Sequence, residues 1–154
     1  MRKILITGAS GFIGQNICKE LVKLNRPVCG TVRSLDFYSE DHKFKVIPVG
    51  DIGPETDWGN ALKEVDCVIH CAGKAHVINK EKDLNVYRLV NTEGTKRLAE
   101  KVAEVGVKRL IFLSSIKVNG ESTGKINSNQ KFTYDDTPNP TDAYSISKFE
   151  AEKI

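Results

Sequence analysis

The chain has 154 residues, of which 40% are apolar and 28% are charged, a balance that fits one folded domain with its own core and excludes a disordered chain. The formal charge of +3 is not gathered into a basic stripe with interleaved aromatic residues, so nucleic acid is not expected as a partner. Apolar runs are too short for a membrane span, and glycines interrupt the N-terminal apolar segment too early for a signal peptide, so we expect a cytoplasmic protein without a membrane partner.

Five short segments rich in apolar and β-branched residues predict β-strands. In chain order they are residues 3–7, 27–32, 45–49, 67–71 and 109–113. The third contains Pro48, which cannot donate a ladder hydrogen bond and is therefore expected in an edge strand. The fourth, CVIHC, is a continuous apolar run of the kind buried on both faces of a parallel sheet.

Helices are predicted between these strands from apolar residues at helical spacing and from turn residues at their ends. They cover residues 13–24, 58–63 and 84–105, and a last one starts near residue 142. The long helix is followed by Gly106, a residue type common just past a helix C-terminus. Residues 114–141 are predicted to form a long loop. Strands that alternate with helices favour parallel pairing with right-handed crossovers, so the predicted fold class is α/β, a doubly wound parallel sheet.

The four cysteines, Cys18, Cys29, Cys67 and Cys71, include no C-x-x-C pair and lie in apolar segments. We expect reduced thiols that pack as small apolar side chains, as in a reducing cytoplasm. Zinc bound by Cys67, His70 and Cys71 is the alternative. It is disfavoured because side chains alternate between the two faces of a strand, and no metal is expected.

The segment GASGFIG lies directly between the first predicted strand and the first predicted helix, with glycines at 8, 11 and 14. Glycines there permit a tight turn, close approach of the backbone to a pyrophosphate, and close helix–sheet packing. The helix N-terminus adds free N–H groups and a partial positive charge. We predict a dinucleotide site, the alternative being glycines that serve only the turn. The predicted cofactor-binding residues here are Gly8, Ser10, Gly11, Phe12, Ile13 and Gly14.

The end of the second strand is expected to contact the adenosine ribose. A carboxylate at this place accepts a hydrogen bond from the 2′-OH, whereas this chain has Arg33 and Ser34. Arg33 is able to pair with a 2′-phosphate, which favours NADP over NAD. The alternatives are an arginine that stacks on the adenine of NAD and an arginine that is only solvated.

Tyr144 and Lys148 are four residues apart in the last predicted helix and therefore project from one face. A phenol is a poor base at neutral pH unless a nearby ammonium stabilises its ionised form. The pattern Y-x-x-x-K is common by itself. However, the fifth strand runs into Ser114-Ser115, at the edge where open α/β sheets bind ligands. We interpret Ser115, Tyr144 and Lys148 as a catalytic group, the alternative for the serines being a capped turn after the strand.

Several segments together resemble the extended short-chain dehydrogenase/reductase family, in its sugar-nucleotide epimerase/dehydratase branch. They are GASGFIG, GDI (50–52), HCAG (70–73), NTEGT (91–95), FLSSIKVNG (112–120) and YSISK (144–148). The resemblance implies a Rossmann fold that binds NAD or NADP. It also implies Tyr144 as the catalytic acid/base, Lys148 as its cationic partner and ribose ligand, and Ser115 as the hydroxyl that orients the substrate.

The same resemblance implies further cofactor contacts. Asp51 and Ile52 would flank the adenine, whereas Cys71, Ala72 and Gly73 would line the nicotinamide side. Asn91 would be a structural or cofactor-adjacent residue of the long helix.

Departures from the family pattern narrow the reaction. Ile116 and Lys117 occupy the positions where sugar 4,6-dehydratases carry an Asp-Glu pair, which disfavours dehydration. The segments SSIKVNGEST and HCAGKAHV most resemble the corresponding segments of bacterial enzymes that act on UDP-N-acetylhexosamines. We therefore expect an NAD(P)-dependent epimerase or 4-ketoreductase acting on a nucleotide sugar. A cofactor-binding regulator of the same fold and a reductase of steroids or other non-sugar ketones are the alternatives.

The resemblance further implies that family members continue beyond the position of Ile154 with a smaller part that grips the sugar nucleotide. We accordingly expect residues 1–154 to be the dinucleotide-binding domain of an incomplete enzyme. The alternative is a natural short protein that binds cofactor without turnover. A homodimer is expected for the full-length protein, through the helix at 84–105 and the Tyr/Lys helix.

Overall fold

The computed structural model describes residues 3–36, 43–75, 83–123 and 131–154. Within these residues the strands are β1 (Lys3–Thr7), β2 (Val28–Val32), β3 (Lys45–Pro48), β4 (Val65–His70) and β5 (Arg109–Phe112). They form one sheet in the order β3-β2-β1-β4-β5, with every neighbouring pair parallel. The strand order reverses between β1 and β4, which confirms the predicted doubly wound sheet and places a ligand-binding crevice at this point.

The helices are α1 (Phe12–Lys23), α2 (Leu84–Arg88), α3 (Gly94–Glu104) and α4 (Ala143–Glu152). A π-helical turn, Leu89–Glu93, joins α2 to α3, so the predicted helix at 84–105 is confirmed in extent but not in regularity. Such turns are rare and frequently lie at functional sites. A 3₁₀ turn, Ile116–Val118, follows β5. It falls in the predicted loop 114–141, of which residues 124–130 lie outside the described residues.

The core lies on both faces of the sheet, as expected for a parallel sheet covered by helices. Successive residues of β1 point to opposite faces. Leu5 packs in one cluster with Trp58 and Leu98, and Ile6 packs in the other with Cys18 of α1. β3, which contains Pro48, is an edge strand as predicted.

The predicted helix at residues 58–63 is wrong. Residues 59–64 form a series of turns, in which the N–H of Leu62 donates to the carbonyl of Trp58 over 3.0 Å. The segment is shaped by burial of the Trp58 ring and by Glu64, whose φ of 59° turns the chain directly into β4. One such turn is too short for helix propagation to offset the cost of nucleation. β4 consequently begins at Val65, two residues before the predicted strand.

The four cysteines are free thiols, with Cys18 and Cys29 buried and the other two half-buried. Burial is the main cause that raises the pKa of Cys18 to about 12 and that of Cys71 to about 11. These thiols therefore stay protonated at neutral pH. In the described part of the chain, His, Cys, Asp and Glu form no group of three that could hold a metal ion. The helices described there are all too short or too polar to cross a membrane.

Candidate active site

A cleft of about 870 Å³ opens at the carboxyl ends of β1, β2 and β4. This is the crevice at which the strand order reverses, where open α/β sheets bind ligands. The structure brings many of the predicted cofactor residues together in the cleft lining. Those residues are Gly8, Ser10, Gly11, Arg33, Asp51, Ile52, Cys71, Ala72 and Gly73.

The glycine loop shapes one side of the cleft because backbone atoms approach each other closely there. Gly8 has a φ of 66°, and a Cβ at this position would lie 2.9 Å from the backbone N and Cα of Ala72. A Cβ on Gly14 would overlap the carbonyl group of Gly8. Gly11 precedes α1 without a side-chain cap, and the first turn of the helix has no acidic residue. The N–H groups at this helix end therefore remain available for an anion.

Three predicted cofactor residues lie in the first turn of α1 and are not among the residues that line the cleft. Phe12 is 86% exposed and Ile13 is 53% exposed, whereas Gly14 is buried. Gly14 contributes through close packing of the helix on the loop. A direct contact of Phe12, Ile13 or Gly14 with a cofactor remains a prediction.

At the β2 side of the cleft, Arg33 is paired with Asp51. Its Nε lies 2.7 Å from Oδ1 of Asp51, and both side chains are more than three-quarters exposed, at 80% and 83%. An exposed pair of this kind contributes little stability. A 2′-phosphate bound by Arg33 would have to approach the Asp51 carboxylate. The Arg33–Asp51 ion pair is not predicted by the sequence.

Behind the cleft, the His70 side chain at the end of β4 is buried between two threonines. Its Nδ1 lies 2.6 Å from Oγ1 of Thr7, and its Nε2 lies 3.1 Å from Oγ1 of Thr95. Burial, followed by the positive charge of Lys148, lowers the pKa of His70 to about 3. The imidazole is therefore neutral at physiological pH.

Asn91, in the π-helical turn, connects the cleft to α4. Its Oδ1 accepts from the N–H of Lys74 over 2.8 Å, and its Nδ2 donates to the carbonyl of Lys74 and to Oγ of Ser147, both over 2.9 Å. The Ser147 hydroxyl donates to the carbonyl of Tyr144 over 2.7 Å. Gly73 allows this arrangement, because a Cβ there would lie 3.0 Å from Oδ1 of Asn91.

Tyr144 and Lys148 lie on α4, as predicted. Asp142 caps the helix and forms a reciprocal capping box with Ser145. Lys148 is only 5% exposed, and its Nζ lies 3.9 Å from the ring centroid of Phe112 at the end of β5. Burial lowers the pKa of Lys148 to about 8, against the opposing effects of Glu152 and Cys71. Lys148, Tyr144 and Ser115 are not among the residues that line the cleft, although Lys148 interacts electrostatically with Cys71, which is. A contact of Tyr144 or Lys148 with a cofactor therefore remains a prediction.

Ser115 caps the 3₁₀ turn after β5, with its Oγ accepting from the N–H of Lys117 over 3.3 Å. This contact corresponds to the capping alternative, and the catalytic role of Ser115 remains a prediction. α4 packs against the same turn. Nζ of Lys117 lies 2.7 Å from Oδ2 of Asp142, so Lys117 connects the turn to the α4 cap.

One side of the cleft that the sequence did not predict is formed by Val86 of α2 and by Leu89 and Val90 of the π-helical turn. Apolar residues at helical spacing in the predicted helix 84–105 include Leu89, which would place its side chain on the buried face, but Leu89 is 52% exposed. The wider π-helical turn shifts the side chains out of the expected register. Apolar periodicity contains no signal for this shift. The polar residues Asn91 and Thr92 in mid-helix were the available indication.

Comparison with known proteins identifies relatives over the whole described fold. The model of the 3-beta hydroxysteroid dehydrogenase/isomerase family matches residues 5–154. A UDP-glucose 4-epimerase of Vibrio cholerae is 44% identical over 155 residues, covering 99% of this chain and 45% of the relative. The mouse sterol-4-alpha-carboxylate 3-dehydrogenase (decarboxylating) is 30% identical, with 99% of this chain and 40% of the relative covered.

Solved structures show the same architecture. MoeE5, solved in complex with UDP-glucose and NAD, is 29% identical with a TM-score of 0.80, covering 98% of this chain and 47% of that chain. The UDP-glucuronic acid 4-epimerase of Bacillus cereus, solved with NAD, is 27% identical with a TM-score of 0.77, covering 98% of this chain and 50% of that chain. The chain thus spans about half the length of the relatives that it matches. With its matched residues and its Rossmann sheet, it belongs to the 3-beta hydroxysteroid dehydrogenase/isomerase family, within the extended short-chain dehydrogenases/reductases.

Proposed function

We propose that residues 1–154 form the dinucleotide-binding part of an NAD-dependent enzyme that acts on a nucleotide sugar. The proposal is carried by the cleft at the switch point, which is lined by the glycine loop and by the π-helical turn. Asn91 of that turn is hydrogen-bonded to Ser147 of α4, the helix that bears Tyr144 and Lys148. The fit to a dinucleotide rests on Gly8, where a Cβ would crowd Ala72, and on the uncapped N-terminus of α1.

A nicotinamide dinucleotide bound in the cleft would supply the acceptor and donor of hydride. The chain itself would supply the proton chemistry. In our proposal, Oη of Tyr144 takes the proton of a sugar hydroxyl and returns it in the reverse step. Lys148 supports the phenolate by its charge, and the Ser115 hydroxyl orients the sugar oxygen. These roles are the same for epimerisation and for reduction of a 4-keto sugar.

We propose a UDP-N-acetylhexosamine as the substrate, on the resemblance of SSIKVNGEST and HCAGKAHV. The 44% identical UDP-glucose 4-epimerase supports the nucleotide-sugar class. Substrate contacts from residues outside 1–154, and a homodimer built through α4 and the α2–α3 helix, are part of the same proposal.

NAD is the proposed cofactor, because the solved relatives described above were solved with NAD. The preference for NADP expected from Arg33 has no support among them. In addition, the Asp51 carboxylate neutralises Arg33 and would repel a 2′-phosphate. Measuring the dissociation constants of both dinucleotides tests this choice. We expect NAD to bind more tightly in the unmodified protein, and Asp51→Asn to narrow the difference. A tighter constant for NADP in the unmodified protein would overturn the choice.

The catalytic proposal is tested with Tyr144→Phe in the intact protein. We expect turnover of the nucleotide sugar to fall by a factor of about 10² to 10⁴, the usual contribution of a general acid/base, with NAD affinity little changed. Tyr134→Phe is the matched control, because Tyr134 is 95% exposed. Equal turnover in Tyr144→Phe and in the control would refute the assigned acid/base.

A sterol or steroid substrate is the second candidate, favoured by the family model and by the sterol dehydrogenase relative. Calorimetric titration of the NAD-loaded protein with UDP-N-acetylglucosamine, UDP-glucose and a 3β-hydroxysteroid separates the two classes. Binding of the steroid without binding of either UDP-sugar would replace the proposed substrate class.

A further inference from the structure

The ammonium of Lys148 lies against the face of an aromatic ring. Its Nζ is 3.9 Å from the ring centroid of Phe112, and the lysine is 5% exposed. A buried ammonium loses much of its hydration, and the negative face of an aromatic ring restores part of the lost stabilisation. The same ring lies beside His70, with ring centroids 5.9 Å apart and an angle of 31° between the ring planes.

Hydrogen bonds determine which nitrogen of His70 carries the proton. The Thr95 hydroxyl donates to the carbonyl of Asn91 over 2.6 Å, so its oxygen is left to accept from Nε2–H of His70. Nδ1 therefore has no proton and accepts from the Thr7 hydroxyl, whose oxygen accepts from the N–H of Ala72 over 3.1 Å. Protonation of Nδ1 would require the Thr7 hydroxyl to give up its donor role. The network thus specifies a neutral imidazole.

We propose that Phe112 is a positioning residue of this site, whose ring face holds the Lys148 ammonium while the neutral His70 leaves that side of the lysine without a second positive charge. The lysine is thereby kept charged and held at the end of β5. The inference rests on the proposed function only in assuming that a charged Lys148 assists Tyr144.

The other titratable groups around Lys148 do not replace this ring. Glu152, one turn further along α4, and Cys71, after β4, both favour the charged lysine but do not outweigh its burial. Tyr144 lies one turn before it on α4. The charged groups that reach α4 from α2 and from the 3₁₀ turn are already paired with α4 carboxylates, Arg88 with Glu150 and Lys117 with Asp142.

The test is a direct titration of Lys148 in the intact protein, without substrate. The rate of amine acetylation is measured against pH and assigned to Lys148 by peptide mass spectrometry. Phe112→Leu removes the ring face but keeps an apolar side chain, and Phe112→Tyr is the matched control that keeps the ring. We expect the pKa of Lys148 to fall by about one unit in Phe112→Leu. In Phe112→Tyr we expect it to stay within about a third of a unit of the unmodified protein.

An unchanged or raised pKa of Lys148 in a folded Phe112→Leu protein would overturn the proposal. Phe112→Met, with a longer side chain that fills more of the ring's space, gives the same comparison if the leucine variant does not fold. The result does not depend on turnover, so it stands apart from the outcome of Tyr144→Phe.

Activity adds a readout that a purely structural role would not move. Activity that requires charged Lys148 is lost as the pH rises through the pKa of about 8. In Phe112→Leu this alkaline loss should begin about one pH unit lower. An equal reduction of kcat/KM at every pH would instead indicate a packing role and contradict the proposal.

Discussion

On the glycine-loop side of the cleft, backbone lies against backbone. On the side lined by α2 and the π-helical turn (the α4 side), side-chain hydrogen bonds and ion pairs join these elements to α4. Gly8 and Gly14 are positions where a single added carbon has no space. Around α4, by contrast, Asn91, Ser147 and Asp142 each hold two segments together. The first side depends on the absence of side chains and the second on their chemical identity, so the two should respond differently to substitution.

The largest effect is expected for Gly14→Ala. The new methyl would overlap the carbonyl group of Gly8, so α1 or the loop must shift, at a cost of about 3 kcal/mol in the free energy of unfolding. Gly106→Ala is the control, because Gly106 has a φ of 74° but no atom within 4 Å of its Cβ position. Backbone strain alone should cost about 1–2 kcal/mol there. Equal losses in urea unfolding would contradict the role given to close packing.

On the α4 side, Asn91→Leu should cost about 1–3 kcal/mol in the free energy of unfolding, because it leaves polar groups of Lys74 and Ser147 without their partner. Asn91→Asp is the matched variant, since it keeps the acceptor for Lys74 N–H and loses both donors. Hydrogen exchange at the Lys74 amide distinguishes the leucine variant from the aspartate variant. We expect protection in the aspartate variant and its loss in the leucine variant, and similar exchange in both would contradict the assigned contact.

A smaller effect is expected for the α4 cap. Asp142→Ala should cost about 1 kcal/mol. Burial acts to raise the pKa of Asp142, but hydrogen bonds from Lys117 and Ser145 outweigh it, so the pKa is lowered from 3.8. The folded state therefore favours the carboxylate, and the contribution is present above pH 3.8 and lost as the pH falls through the lower folded value. The unmodified protein and Asp142→Ala should therefore differ in free energy of unfolding at neutral pH and become equal at acidic pH. A difference that persists at acidic pH would contradict the assignment.

The smallest effect is expected for the Arg88–Glu150 pair, which joins α2 to α4 with 42% and 28% of the two side chains exposed. A double-mutant cycle with Arg88→Met and Glu150→Gln should give a coupling of about 0.5–1 kcal/mol that decreases with salt. A salt-independent coupling would show that packing, rather than charge, connects these helices.

The difference between the two sides also explains what the sequence predicted. Tight turns and close backbone contacts appear in the sequence as glycines, and buried strands appear as short apolar runs. The strands, the loop at Gly8–Gly14 and the helix ends were therefore predictable. The contacts of Asn91, His70 and Arg33 join residues far apart in the chain, and no local pattern records such partners. The π-helical turn and the turn at Trp58 were missed because tertiary packing overrides local periodicity there.

The central claim is that this one cleft holds the dinucleotide with its reactive ring toward Tyr144 and Lys148. A crystal structure of the intact protein with NAD tests it most directly. We predict the pyrophosphate at the N-terminus of α1 and the nicotinamide on the α4 side. A dinucleotide bound elsewhere, or one whose nicotinamide points away from Tyr144, would contradict the account.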